Sequence, residues 1–221
     1  MKRIFLTVAV AAGVLCGLQR AKATSLTPGG AAVVPDQVAP SGNLVVLADT
    51  GSTAYASGTN AGTIREYVLK GDTSANSLGG LDFVYQVTVN AGSLPILSAS
   101  SFSTVGKIDV SQVAGPITLG NGTQIFGKGT KLATLADWTA DASTVDFFFI
   151  PSAMKGTTTY VMVIRTNAQD FGVGNIDTAG ISVKGFAVTP EPTSVVLLAG
   201  CFAGLAGTGL WRRLRRRGAV Q

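Results

Sequence analysis

Leu81, Phe83, Tyr85, Val87 and Val89 alternate with Asp82, Gln86 and Thr88 along one short stretch of the chain. A period of two puts the apolar set on one face of a strand and the polar set on the other, which predicts a half-buried β-strand. Tyr160 to Thr166 and Ile181 to Val188 repeat the signal. Leu44 to Ala48, Ile64 to Leu69, Lys107 to Val110 and Val145 to Ile150 are shorter, or apolar on both faces. Within the last of these, Phe147-Phe148-Phe149-Ile150 predicts the central strand of its sheet. Lys155-Gly156 predicts a turn into the strand at Tyr160, and Asn121-Gly122 predicts a hairpin. Only Thr130 to Trp138 offers a short helix.

Many short strands with Gly, Asn, Ser and Thr between them, and no β–α alternation, predict an all-β fold. The expected architecture is a single antiparallel β-sandwich, jelly-roll or immunoglobulin-like, over residues 43–188. Residues 24–42, with Pro28, Pro35 and Pro40, predict an irregular lead-in. No internal repeat emerges.

Two apolar runs follow neither period and lie at the ends. At the N-terminus Lys2 and Arg3 precede the run Ile4 to Leu18, and Ala21-Lys22-Ala23 follows. A positive segment, a short apolar segment and a small-x-small pattern predict a signal peptide over residues 1–23, with Ala21 and Ala23 as the signal peptidase site. Cys16 is preceded by Leu15 where a lipoprotein signal has a small residue, so no lipid anchor is expected. At the other end, Val195 to Trp211 gives 17 apolar or small residues. As a helix that is roughly 25 Å long at about 1.5 Å per residue, the short end of what crosses a bilayer core of about 30 Å. One transmembrane helix is expected over about residues 194–211, with Trp211 at the interface. Its large apolar residues favour insertion by only about 2 to 4 kcal/mol in total. Arg212, Arg213, Arg215, Arg216 and Arg217 follow at once. Their charge resists translocation, which predicts a cytoplasmic anchor cluster and places residues 24–192 on the far side of the membrane.

Immediately before the apolar run stand Pro190, Glu191 and Pro192. The proline-bracketed acid, the span and the arginine cluster occur in that order, over about residues 189–217. Together they resemble the PEP-CTERM sorting signal of Gram-negative bacteria. Thr189 separates Val188 from Pro190, whereas the family places Val directly before Pro. The resemblance implies an exosortase, a membrane enzyme similar to cysteine proteases, as the processing partner. It also implies a destination at the cell surface or in the extracellular matrix, with exopolysaccharide as a further partner.

Composition then sharpens what the body can do. The chain is formally +5, yet residues 24–192 hold eight Lys and Arg against all twelve Asp and Glu, a net of −4. The basicity belongs to the two ends, so the body lacks the positive face of a nucleic-acid binder. Both cysteines, Cys16 and Cys201, lie in the end segments, so no disulfide framework is expected in the body. The chain has no histidine, which removes Ser-His-Asp and Cys-His nucleophiles and His-ligated metals.

Three candidate constellations remain. Asp49-Thr50-Gly51-Ser52 after the strand-like Leu44 to Ala48 resembles the Asp-Thr-Gly-Ser loop of aspartic proteases. That chemistry needs a second carboxylate loop, and Ile176-Asp177-Thr178-Ala179-Gly180 has Ala where the tight turn wants Gly. Asp137 and Asp141, four apart, could share a helical face and ligate calcium, although no Asp-x-Asp-x-Asp-Gly loop is present. Tyr55, Tyr67, Tyr85 and Tyr160 with Trp138 could stack on sugars, while alternation places Tyr85 and Tyr160 in the core. No catalytic residue, cofactor or metal ligand is assigned. The sequence predicts an exported, structural or adhesive protein. A carbohydrate-binding module is the alternative, and a carboxylate-dependent hydrolase the third class.

Overall fold

The structure, a computed structural model, describes residues 22–178 and 180–189. The peptidase position Ala21, the motif Pro190-Glu191-Pro192, the apolar span and the arginine cluster lie outside the described residues. Among those described, every regular element is a strand, so no helix is long and apolar enough to cross a membrane.

The strands in chain order are β1 (Thr24–Leu26), β2 (Gly42–Asp49), β3 (Thr53–Ser57), β4 (Asn60–Asp72) and β5 (Asp82–Ala91). Then come β6 (Ser93–Ser100), β7 (Ile108–Val113), β8 (Ile117–Thr118), β9 (Gln124–Ile125) and β10 (Leu135–Trp138). The last four are β11 (Thr144–Met154), β12 (Val161–Thr166), β13 (Phe171–Thr178) and β14 (Ile181–Val188). They form two antiparallel sheets and a small hairpin. The first sheet runs β1-β7-β12-β5-β4-β2, with β3 also paired to β4; the second runs β10-β11-β6-β13-β14; β8 and β9 pair with each other. The all-β, antiparallel expectation is therefore met.

One core joins the sheets. Leu81, Phe83, Tyr85, Val87 and Val89 of the first sheet lie in the same apolar cluster as Leu97, Val145, Phe147, Phe149 and Ile176 of the second. Phe102 meets Phe83 edge to face at 5.4 Å, the offset geometry that aromatic quadrupoles favour. Burying side chains of this size stabilises by about 1.5–3 kcal/mol each.

Four expectations need correction. The strand β5 is not half-buried, because both of its faces are covered: Asp82, Val84 and Gln86 on the second face are buried too. A second apolar cluster does this, in which Ile117, Ile125 and Phe126 from the hairpin region pack over Leu44, Tyr67, Leu69, Val84, Val161 and Val163. Phe147 and Phe149 do reach the core, but β11 is second in its sheet and β6 holds the middle. Thr130 to Trp138 contains no helix; Leu135–Trp138 is β10, paired on one side with β11 and held on the other by the Val33–Ala136 bridge. The lead-in is irregular for most of its length, yet β1 pairs with β7 and Leu26 enters the core.

From the Asp36–Ser111 bridge at one edge of the first sheet, the lead-in crosses to β2 at the opposite edge. Arg165 fastens this crossing. Its fully buried guanidinium donates from Nε to Asp72 Oδ2 at 3.0 Å, from Nη2 to Val38 O at 3.0 Å, and from Nη1 to Ser111 Oγ. Burial pushes the Asp72 carboxyl up, but the Ser41 and Ala75 N–H groups and Arg165 outweigh it and hold it below the usual range. Asp82, beside Arg165 in the register, is raised well above the usual range by burial, and only partly brought back by Arg165.

The predicted turns form as expected. Asn121-Gly122 closes the β8–β9 hairpin, with Gly122 at φ +82° and the Asn121 side chain accepting the Thr123 N–H. Lys155-Gly156 turns the chain into Thr157–Thr159, which runs beside the end of β5 before β12 begins.

Candidate functional site

Asp49-Thr50-Gly51-Ser52 is a break in an edge strand. β2 and β3 lie end to end along β4; Asp49 is the last paired residue of β2, and Thr50, Gly51 and Ser52 bulge between the two strands. Thr50 Oγ1 accepts the Glu66 N–H, and Asp49 Oδ1 accepts the Gly51 N–H at 2.8 Å, so the loop satisfies itself. Asp49 also receives a bidentate pair from Arg65, Nε to Oδ1 at 3.0 Å and Nη2 to Oδ2 at 2.7 Å. That guanidinium holds the Asp49 carboxyl below its usual range. Asp177 lies on β13 in the other sheet, so the two acids do not form a carboxylate dyad.

Asp137 and Asp141 share no helical face. Asp137 is on β10 opposite Asp146, whereas Asp141 sits in the β10–β11 turn. The Thr139 hydroxyl first, then the Ser143 N–H and hydroxyl, hold the exposed Asp141 carboxyl down to about 2. Burial raises Asp146, and the neighbouring Asp137 and Asp177 carboxylates add to this. These three acids and Ser98 form a row across the outer face of the second sheet. Among the described residues no group of three or more His, Cys, Asp or Glu can hold a metal ion.

The aromatic set does not make an exposed platform. Tyr55, Tyr85 and Trp138 are core residues, and the Trp138 Nε1–H is spent on Ala142 O at 2.8 Å. Tyr160 is half-buried rather than fully in the core. Tyr67 is the exception in position, because it belongs to the outer face of the first sheet.

That outer face carries an open polar cleft of about 350 Å³. Its floor is two strands: Thr63 and Arg65 of β4 stand opposite Thr88 and Gln86 of β5. Period two along β4 sends Thr63, Arg65 and Tyr67 to this side while Ile64, Glu66 and Val68 go inward. One wall is the segment Gln124–Gly127, and Ser52 of the edge bulge completes the lining. Gln86 fixes the wall as a backbone mimic: its Nε2–H donates to Gly127 O at 3.0 Å, and its Oε1 accepts the Gly127 N–H at 3.1 Å. Gln112 clamps Ala133 in the same bidentate way at 3.0 and 2.8 Å, so both ends of the connection to β10 are tied down.

Immediately before the first clamp Phe126 adopts φ +66°, a left-handed conformation that costs a bulky L-residue of order 1–3 kcal/mol. This conformation sets its ring edge-on to Tyr67 at 4.9 Å, and Arg65 lies over the same Tyr67 ring with Cζ 4.7 Å from its centroid. The cleft wall is thus pinned by hydrogen bonds, its exposed lining is mostly polar, and it is electrically balanced because Asp49 neutralises Arg65. Such a surface offers many hydrogen bonds and no net charge. The sequence gives a partial signal for it: the alternation that sends Thr63, Thr88 and Gln86 outward is visible, but the wall that turns them into a cleft is brought from 36 or more residues away.

Compared with known proteins, the chain matches no family model, no curated protein and no solved structure.

Proposed function

We propose that this chain is an exported surface or extracellular-matrix protein of a Gram-negative bacterium, whose body is a β-sandwich with a structural or adhesive role and no catalysis. The observation that carries the proposal is the ordered C-terminal pattern of Pro190-Glu191-Pro192, a membrane-length apolar run and five arginines. In this proposal residues 1–23 are removed after Ala23, the helix of about residues 194–211 holds the protein in the inner membrane, and an exosortase-like enzyme processes the tail. The fold supports it in one respect. Among the described residues the apolar cluster that joins the sheets runs from Leu26 to Val188, within the segment that would remain after both ends are processed, and the motif begins two residues after β14.

Replacing Arg212, Arg213, Arg215, Arg216 and Arg217 with neutral residues tests it, with fractionation and immunoblotting of the producing cell. The proposal expects misorientation or release of the variant. Retention and processing identical to the wild type would rule out sorting by this tail.

A further inference from the structure

We propose that the cleft over β4 and β5 is a binding site for a neutral glycan segment, and that Asp49 sets its preference for uncharged sugars. The proposal rests on the adhesive role given above, and supplies the ligand class and the residues that select it.

The first argument is chemical. Ser52, Thr63 and Gln124 present hydroxyl and amide groups to the cleft without protein partners among the described hydrogen bonds, and Thr88 needs only to exchange one hydroxyl contact with Thr158. A ligand dense in hydroxyl groups can replace water at these positions donor for acceptor. An apolar ligand would leave them unpaired, at a cost of about 1–3 kcal/mol for each group buried. The cleft is open-sided and near the small end of the roughly 300–1,000 Å³ of ligand sites, which suits one or two units of a chain that continues into solvent.

The second argument is electrostatic. Among the described residues Arg65 is the only basic side chain lining the cleft, and both its Nε and its Nη2 are committed to Asp49. A carboxylated or phosphorylated ligand would have to compete with that bidentate partner. A neutral one meets a fixed, balanced ion pair whose remaining lone pairs and N–H groups can serve sugar hydroxyls. Asp49 is therefore a specificity-determining residue: removing its charge frees the Arg65 fork, which fits carboxylates bidentately.

The third argument is mechanical. The protein keeps Phe126 in a strained conformation and locks the next residue with Gln86, so the wall is set before any ligand arrives. Preorganisation of this kind raises affinity by lowering the ordering cost of binding.

The test uses the full chain in detergent micelles with cellohexaose, maltohexaose, mannohexaose and the acidic hexagalacturonate as probes, read by calorimetry. At least one neutral hexaose is expected to bind, and hexagalacturonate to bind at least 10-fold more weakly. Thr63→Val and Gln124→Ala should each weaken the neutral ligand 5-fold or more with unchanged thermal unfolding. Ser52→Ala, on an exposed bulge, repeats the test should either variant unfold. Asp49→Asn should improve hexagalacturonate relative to the neutral hexaose by 10-fold or more. Absence of neutral binding, indifference to the Thr63, Gln124 and Ser52 substitutions, or a wild-type preference for hexagalacturonate would overturn the site. An unchanged preference in Asp49→Asn would overturn the role of Asp49. None of these results bears on sorting, which the arginine replacement reads separately.

Discussion

Glu66 sits inside the core with an ionisable group, and Glu66→Gln should make the protein more stable at neutral pH. The residue points inward from β4 and is fully buried; its Oε2 accepts the Phe186 N–H of β14 at 2.8 Å, linking the two sheets. Its Oε1 and the hydroxyl of Tyr85, its register partner on β5, are both buried without a hydrogen-bond partner. Burial pushes the carboxyl from 4.5 up to about 8, against the opposing effects of the Phe186 N–H and Tyr85. The folded state therefore holds the proton more tightly than the unfolded chain does. Its contribution is fully present below pH 4.5 and is lost as pH rises through about 8. At about 1.4 kcal/mol per pH unit, that loss is of order 5 kcal/mol, with about 3 kcal/mol of it gone by pH 7. Gln keeps a carbonyl for Phe186 and offers its amide to the Tyr85 hydroxyl, so it removes the ionisation and little else. Urea unfolding at pH 5, 7 and 9 measures the difference. With a slope of about 2 kcal/mol per molar urea, the Glu66→Gln midpoint should exceed the wild type by about 1.5 M at pH 7, by more at pH 9, and by only about 0.4 M at pH 5. Superimposable midpoints across this range, or a less stable Glu66→Gln at pH 9, would refute the reasoning.

Two further substitutions address the packing. Arg165→Met strands the buried Asp72 carboxylate and releases Val38 O, at a cost of about 3–5 kcal/mol, or roughly 6–20 °C in thermal midpoint. The double variant Arg165→Met, Asp72→Ala should recover part of it, and calorimetry of both compares them. Gly185→Ala puts a Cβ 2.6 Å from Glu66 Oε2 and from the Ile176 side chain, so it should destabilise by about 1–3 kcal/mol in urea titrations. Wild-type stability there would mean that β14 does not press on Glu66.

The strands were legible because period two survives wherever one face meets the shared core: β5, β12 and β14 fall within a residue or two of their patterns. What local pattern cannot carry is a partner distant in sequence. Gln86 and Asp82 look like solvent-facing residues until the segment after β9 and the 73–80 loop cover them. Arg165 looks like a surface cation in a strand, yet its acid lies 93 residues earlier. The stretch Thr130 to Trp138 has helix-forming side chains over most of its length, but pairing with β11 overrides that propensity. For the candidate site, the Asp-Thr-Gly-Ser motif drew attention to Asp49 for a catalytic reason, and the structure gives it a different task as the counter-ion of Arg65. Tyr55 and Trp138 were candidates for an exposed platform, and the second sheet and its turn enclose them instead.

Export is the central claim: this polypeptide should leave the cytoplasm as its two ends direct. Intact mass spectrometry of the protein recovered from the envelope and extracellular fractions of its own cell measures this directly. A species beginning at Thr24, absent from the cytosol, is the expected result. Full-length chain in the soluble cytosolic fraction, still carrying Met1 and the terminal arginines, would contradict it.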